Sequence, residues 1–255
     1  MDLVSLLMPE GMALWASVLL IVVACFTSAI TAAFGIGGGL TLLAIMIPLI
    51  PISVLVPVHG IVQLGSNTGR AILQFRHARF DVLLWFAVGA LVGAAVGGMV
   101  VVDLPATTLK LAIGLFVLWS MWGKMPAIGA GNRFLIAAGG AGSTLLTMFV
   151  GATGPFVMAL YARADFTKEE LVANFASSMV VQHLLKIVVF GALGFAFGEW
   201  LPLALAMVLA GFVGTVIGTR ILSKLPERVF RITLKTLLTL IGLELVLTAL
   251  RSLIL

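Results

Sequence analysis

The stretch AAFGIGGGL, residues 32–40, places Gly35, Gly37, Gly38 and Gly39 inside a run apolar enough to lie in a lipid bilayer. A chain in hydrocarbon must satisfy its own backbone polar groups, and glycines interrupt the helix that does so. The surrounding composition sets the context. Of the 255 residues, 62% are hydrophobic and 10% charged, against roughly 25% charged in a soluble domain. This predicts an all-α polytopic membrane protein embedded in the lipid bilayer. Connections of about 4 to 12 residues leave no room for a second folded unit, so residues 1–255 read as a single transmembrane domain.

Apolar segments run over 12–33, 40–50, 53–75, 82–102, 108–123, 134–150, 155–161, 171–193, 201–222 and 229–250. A spanning helix needs about 20 apolar residues. Segments 40–50 and 155–161 are too short, and each is expected to pair with its predecessor as a broken or re-entrant helix, with breaks at 35–39 and 151–155. The first ten residues hold Asp2 and Glu10 without Lys or Arg, so the first apolar run lacks the basic lead of a cleaved signal and is read as retained. Cys25, the single cysteine, excludes an intrachain disulfide and reads as a packing thiol.

The chain repeats itself. Thr27, Ser28, Thr31 and Gly35 recur as Ser143, Thr144, Thr147 and Gly151 at an offset of 116, which also carries Arg70 onto Lys186. At an offset of 121, Gly89, Gly93, Gly97, Leu104 and Pro105 recur as Ala210, Gly214, Gly218, Leu225 and Pro226. Repeat one covers about 12–123 and repeat two about 134–250, each with about five helical elements. Five crossings per copy make the second enter from the opposite side, and the cations agree. Arg76 and Arg79 mark the connection around residue 78 as cytoplasmic, whereas its counterpart around 197 holds Glu199 and no cation. The connection around Asp103 lacks cations, and its counterpart holds Lys224 and Arg228, flanked by Arg220 and Arg231. Two inverted-topology repeats are thus expected, with Lys124, Arg133, Arg163 and Lys168 inside and both termini outside; Arg251 at the outer end runs against the rule. The net charge of +5 therefore reports topology, and no nucleic-acid partner is expected.

A break before a short helix leaves first-turn N–H groups without intrahelical acceptors at the positive end of the helix dipole, which suits an anion. Gly37, Gly38 and Gly39 would form one such half-site, and Thr153, Gly154 and Pro155 the other, Pro155 fitting a position where its missing N–H costs nothing. The plainer alternative is a tight helix contact or an interhelical turn. On segment 53–75, His59, Gln63, Ser66, Asn67 and Arg70 share one helical face. Asn174, Ser177, Ser178, Gln182 and Lys186 form a similar stripe on segment 171–193, with His183 one residue away. No carboxylate lies in either stripe, so a small anionic substrate is the natural partner for Arg70 and Lys186. Against this, Arg70 is close enough to the interface to snorkel, whereas Lys186 sits in the middle third of its segment. His59 and His183 fit proton carriage or plain hydrogen bonding within a bundle equally well. The stripes Gly89-x3-Gly93-x3-Gly97 and Ala210-x3-Gly214-x3-Gly218 serve close helix packing within the chain, or the seam of a homodimer. Glu244 lies well inside the last segment, as a proton site or a partner for a basic residue.

TSAITAAFGIGGGL, the polar stripe after it and the second copy around VGATGPF together resemble the sulfite exporter TauE/SafE family of bacterial membrane transporters, over essentially the whole chain. The second copy departs from a full glycine run, reading Gly151-Ala-Thr-Gly-Pro155. The resemblance implies a secondary transporter, an exporter, of a small sulfur-containing oxyanion such as sulfite, sulfoacetate or another organosulfonate, working by alternating access in the cytoplasmic membrane. The alternatives are a non-transporting assembly or accessory subunit and a carrier of another small anion, such as a carboxylate. Without a zinc-type His/Glu spacing or an aspartyl pair, no enzyme, metal or cofactor is expected.

Overall fold

The computed structural model describes residues 7–9, 12–99, 106–123, 132–150, 153–195 and 197–254. Among the described residues the chain forms ten α-helices and no strand. They are α1 (Leu14–Phe34), α2 (Gly38–Met46), α3 (Ile52–Leu73), α4 (Phe80–Met99), α5 (Ala106–Trp122), α6 (Arg133–Val150), α7 (Gly154–Tyr161), α8 (Lys168–Ala192), α9 (Leu201–Lys224) and α10 (Glu227–Ile254). Each apolar segment read from the sequence coincides with one helix. Gly151 of the second break, Lys124 and the connection around Asp103 lie outside the described residues. Five helical stretches are long and apolar enough to cross a membrane: Leu14–Phe34, Phe80–Met99, Lys168–Ala192, Gly198–Lys224 and Glu227–Ser252. Their outward side chains, such as Phe26, Met99 and Leu209, are exposed, as a lipid-facing surface requires.

Two helix pairs approach most closely, α1 with α9 and α4 with α6. Small residues make the approach possible, because packing between apolar helices in lipid depends on backbone proximity. A methyl group on Gly89 of α4 would stand 1.8 Å from the Ala137 carbonyl oxygen of α6, and one on Gly93 2.2 Å from that of Ala141. On α9, the same addition to Gly214 would meet the Cys25 carbonyl oxygen of α1 at 1.9 Å, and to Gly218 that of Ala29 at 2.3 Å. Both small-residue stripes are therefore occupied within the chain.

The apolar interior separates into two clusters. One joins Leu20 and Ala24 of α1, Leu42 and Met46 of α2, Val58 and Val62 of α3, and Leu203 and Met207 of α9. The other joins Phe86 and Ala90 of α4, Ile136 of α6, Val157 to Tyr161 of α7, and Leu171, Val172 and Phe175 of α8, with Phe230 and Leu234 of α10 against it. Helices α3 and α8 pack against each other between the two clusters, and α5 packs on α10.

The start of α8 is held firmly. Thr167 Oγ1 accepts from the Glu170 N–H at 3.2 Å while Glu170 Oε2 accepts from the Thr167 N–H at 2.9 Å, a reciprocal cap. Next to it, Lys168 Nζ donates to the Leu222 carbonyl at 3.0 Å and also to that of Leu225, satisfying oxygens at the end of α9.

Candidate functional site

The first break begins where α1 ends. Gly35 caps it with φ +83° and donates to the Thr31 carbonyl at 2.8 Å; Gly37 then precedes α2 with φ +108°. Both torsions lie in the left-handed region, where glycine alone is at ease. Gly38 has come back alongside α1, so close that a Cβ there would stand 1.8 Å from the Thr27 oxygen. The N-terminus of α2 is thereby delivered into the interior. In the second break Thr153 precedes α7, with Pro155 in the first turn. Thr153 Oγ1 donates to the Ser143 carbonyl of α6 at 3.1 Å and accepts from Gln182 Nε2 of α8 at 3.0 Å, which fixes where α7 begins.

The two N-termini meet at one cavity of about 40 Å³, room for about three water molecules. Gly37, Gly39, Leu40, His59, Gln63 and Asn67 line it from α2, α3 and the turn before α2, and Thr153, Gly154, Pro155, Phe175, Met179 and His183 from α7, α8 and the turn before α7; Thr31 and Ile36 complete the wall. His59 Nε2 lies 3.0 Å from the Gly39 carbonyl oxygen, and the His59 and His183 rings meet edge to face with centroids 6.4 Å apart. The Gln63 amide covers Gly39, where a Cβ would lie 3.2 to 3.3 Å from its atoms.

Other residues chosen from the sequence lie near this cavity or away from it. Gly38 faces α1. Ser66 shares a hydrogen bond with Ser28 at 2.9 Å and accepts from Arg70 Nη2 at 3.3 Å, so this pair points towards α1. Arg70 is 1% exposed, one turn beyond Asn67. Lys186 is 0% exposed, one turn beyond His183, with its Cε 3.2 Å from where a Gly60 side chain would begin. Gln182 touches the cavity only through Thr153, and Ser178 bonds the Tyr161 hydroxyl at 2.7 Å. Asn174 sits near the start of α8, where its Oδ1 accepts from the Arg79 N–H at 2.9 Å and its Nδ2 donates to the Glu170 carbonyl at 2.7 Å. Ser177 lines a separate apolar recess with Thr68, Phe75 and Phe80.

Phe175 and Met179 face the cavity without having been chosen, because a search for polar side chains passes over them. The offset of 116 would have found both, since it carries His59 onto Phe175 and Gln63 onto Met179.

Five helices long and apolar enough to cross a membrane, packed around a cavity at the N-termini of two short helices, mark a multi-pass membrane protein. The chain belongs to the sulfite exporter TauE/SafE family, a family of membrane transporters, whose sequence model matches residues 20–245. Searches of curated proteins and of solved structures each found no match.

Proposed function

We propose that this protein is a secondary transporter that exports a small sulfur-containing oxyanion, sulfite or an organosulfonate such as sulfoacetate, across the cytoplasmic membrane. The observation that carries the reading is the convergence of two helix N-termini on one cavity with no acidic residue among the described residues of its wall. Each N-terminus contributes roughly half a positive charge, and Arg70 and Lys186 stand buried one turn behind. A cation at that depth costs about 2.5–3.5 kcal/mol on insertion scales, and an anion between the two offsets it. Gly37, Gly38, Gly39, Thr153, Gly154 and Pro155 supply the cradle, His59, Gln63, Asn67 and His183 orient the anion, and Arg70 and Lys186 hold its charge from behind.

Two inverted repeats with re-entrant short helices account for the arrangement. Five pairs in the cavity wall are related by the offset of 116: Gly37 with Thr153, Gly39 with Pro155, His59 with Phe175, Gln63 with Met179 and Asn67 with His183. The packing is reciprocal too, since α9 joins α1 to α3 just as α4 joins α6 to α8. Alternating access would be the rocking of one unit, α1, α2, α3 and α9, against the other, α4, α6, α7 and α8. The tight glycine contacts lie inside the units and would stay shut, while the α3–α8 contact slides. Asn174 and Lys168 tie the connections holding Arg79, Lys168 and Lys224 to one end of the bundle, which supports a cytoplasmic assignment of that end and termini outside.

Flux in purified proteoliposomes tests the reading, with sulfite, sulfoacetate, sulfate and a carboxylate control inside. Sulfite or a sulfonate should leave the vesicles, and Lys186→Ala and Arg70→Ala should each slow it about tenfold or more. Unchanged flux in both variants, or movement of the carboxylate alone, sinks the assignment.

A further inference from the structure

Two side chains that line the cavity, His59 and Asn67, and Gln182 behind Thr153 have hydrogen-bond orientations dictated by their partners. His59 Nε2 meets the Gly39 carbonyl oxygen at 3.0 Å. A carbonyl only accepts, so in the uncharged imidazole the hydrogen is on Nε2 and Nδ1 keeps a bare lone pair. Asn67 Nδ2 donates to the Gln63 main-chain carbonyl at 2.7 Å, which makes Oδ1 the free acceptor. Thr153 gives its one hydroxyl hydrogen to Ser143, so Gln182 must donate to it through Nε2 and leave Oε1 bare. None of these three acceptor atoms has a hydrogen-bond partner among the described residues. His59, Asn67 and Gln182 are 1%, 2% and 0% exposed, and buried acceptors left unmatched are costly.

A fully deprotonated oxyanion is the wrong complement for them, because it too only accepts. The helix N-termini and the buried cations answer negative charge; the bare acceptors ask for a hydrogen. We infer that the cavity takes its anion with a hydrogen still on it, a hydrogen-bond-donating oxyanion such as hydrogen sulfite or a hydroxylated sulfonate, with His59 Nδ1 and Asn67 Oδ1 receiving the bond. This rests on the oxyanion reading and narrows it. With hydrogen sulfite, each anion brings one proton across the membrane on the ligand itself. The charged and titratable groups about His59 are His183 and Lys186 on α8, and Arg70 farther along α3; α2 has none.

The test uses the full chain in proteoliposomes loaded with sulfite in mildly acidic buffer, where the anion carries one proton. Two competitors of equal charge and nearly equal size are compared, 2-hydroxyethanesulfonate and propane-1-sulfonate, which differ by a hydroxyl in place of a methyl. The hydroxylated one should compete about tenfold better or more, because a site built to hydrogen-bond a hydroxyl rejects the analogue lacking it. His59→Phe, checked for monodisperse elution, should erase that preference. His59→Gln, whose amide can donate to Gly39 and still accept, should retain it. Equal competition on the unaltered protein overturns the inference and leaves transport standing; if sulfite does not move at all, both fall. The comparison on the unaltered protein decides the matter even where a variant does not fold.

Discussion

His59 on α3 holds the Gly39 carbonyl in the first turn of α2, Nε2 to oxygen at 3.0 Å. The short helix is thus fastened to the long one at the point where both meet the cavity. Replacing His59 by Leu removes that bond from a part-buried carbonyl. A loss of about 0.5–1.5 kcal/mol is expected, read as a lower midpoint of thermal unfolding in detergent. An unchanged midpoint means the bond contributes nothing.

Lys186 offers a dissociation between stability and function. Its side chain is wholly buried, and a buried ammonium carries a desolvation cost that a packed apolar side chain does not. Lys186→Met should therefore leave the unfolding midpoint unchanged or raise it, yet abolish anion flux. A variant that still transports removes Lys186 from the site.

Neighbouring glycines in the first break should respond differently to alanine. At Gly37 the added Cβ meets only Ile30, at 3.8 Å, so the cost is the left-handed torsion, about 1–2 kcal/mol. At Gly38 the same atom would stand 1.8 Å from the Thr27 oxygen. Gly37→Ala should express and elute as a single species, whereas Gly38→Ala should aggregate. Equal yields of the two would contradict the close return of the chain beside α1.

Gly89→Leu and Gly214→Leu should each push a helix pair apart and lower the unfolding midpoint without altering the particle mass in detergent, since both stripes face helices of the same chain. A change of mass from dimer to monomer, measured by light scattering, would instead make them a subunit seam.

The cap at the start of α8 gives a smaller effect. Thr167→Ala removes the acceptor for the Glu170 N–H and should cost about 1 kcal/mol, visible in the unfolding midpoint and absent from the flux of sulfite per folded molecule.

How far the sequence was legible depends on what the bilayer demands. Helix positions were, because a lipid-facing segment must be apolar along its length and a break must be marked by residues such as Gly37 or Pro155. The cavity was legible where a polar side chain faces it, as at His59, Gln63, Asn67 and His183. It was not legible where helix end and helix middle look alike in sequence. Asn174 falls on the periodic stripe of α8 yet serves the connection at Arg79. Ser66 shares the face of Asn67, but α1 approaches there with Ser28 and takes it as a partner, while Arg70 donates to the same Ser66 hydroxyl. Periodicity names a face; the neighbour that covers it decides the role.

The packing of α9 on α1 and α3, and of α4 on α6 and α8, bears on how the chain is made. When α1 to α3 leave the ribosome, the groove on α1 that receives Gly214 and Gly218 has nothing to fill it. It stays empty until residue 224 ends α9. The unit built on α1 cannot close before α9 ends at residue 224, nor the one built on α4 before α8 ends at residue 192, so a chain cut at its midpoint would yield two fragments that are each incomplete and that find their missing helix only in the other.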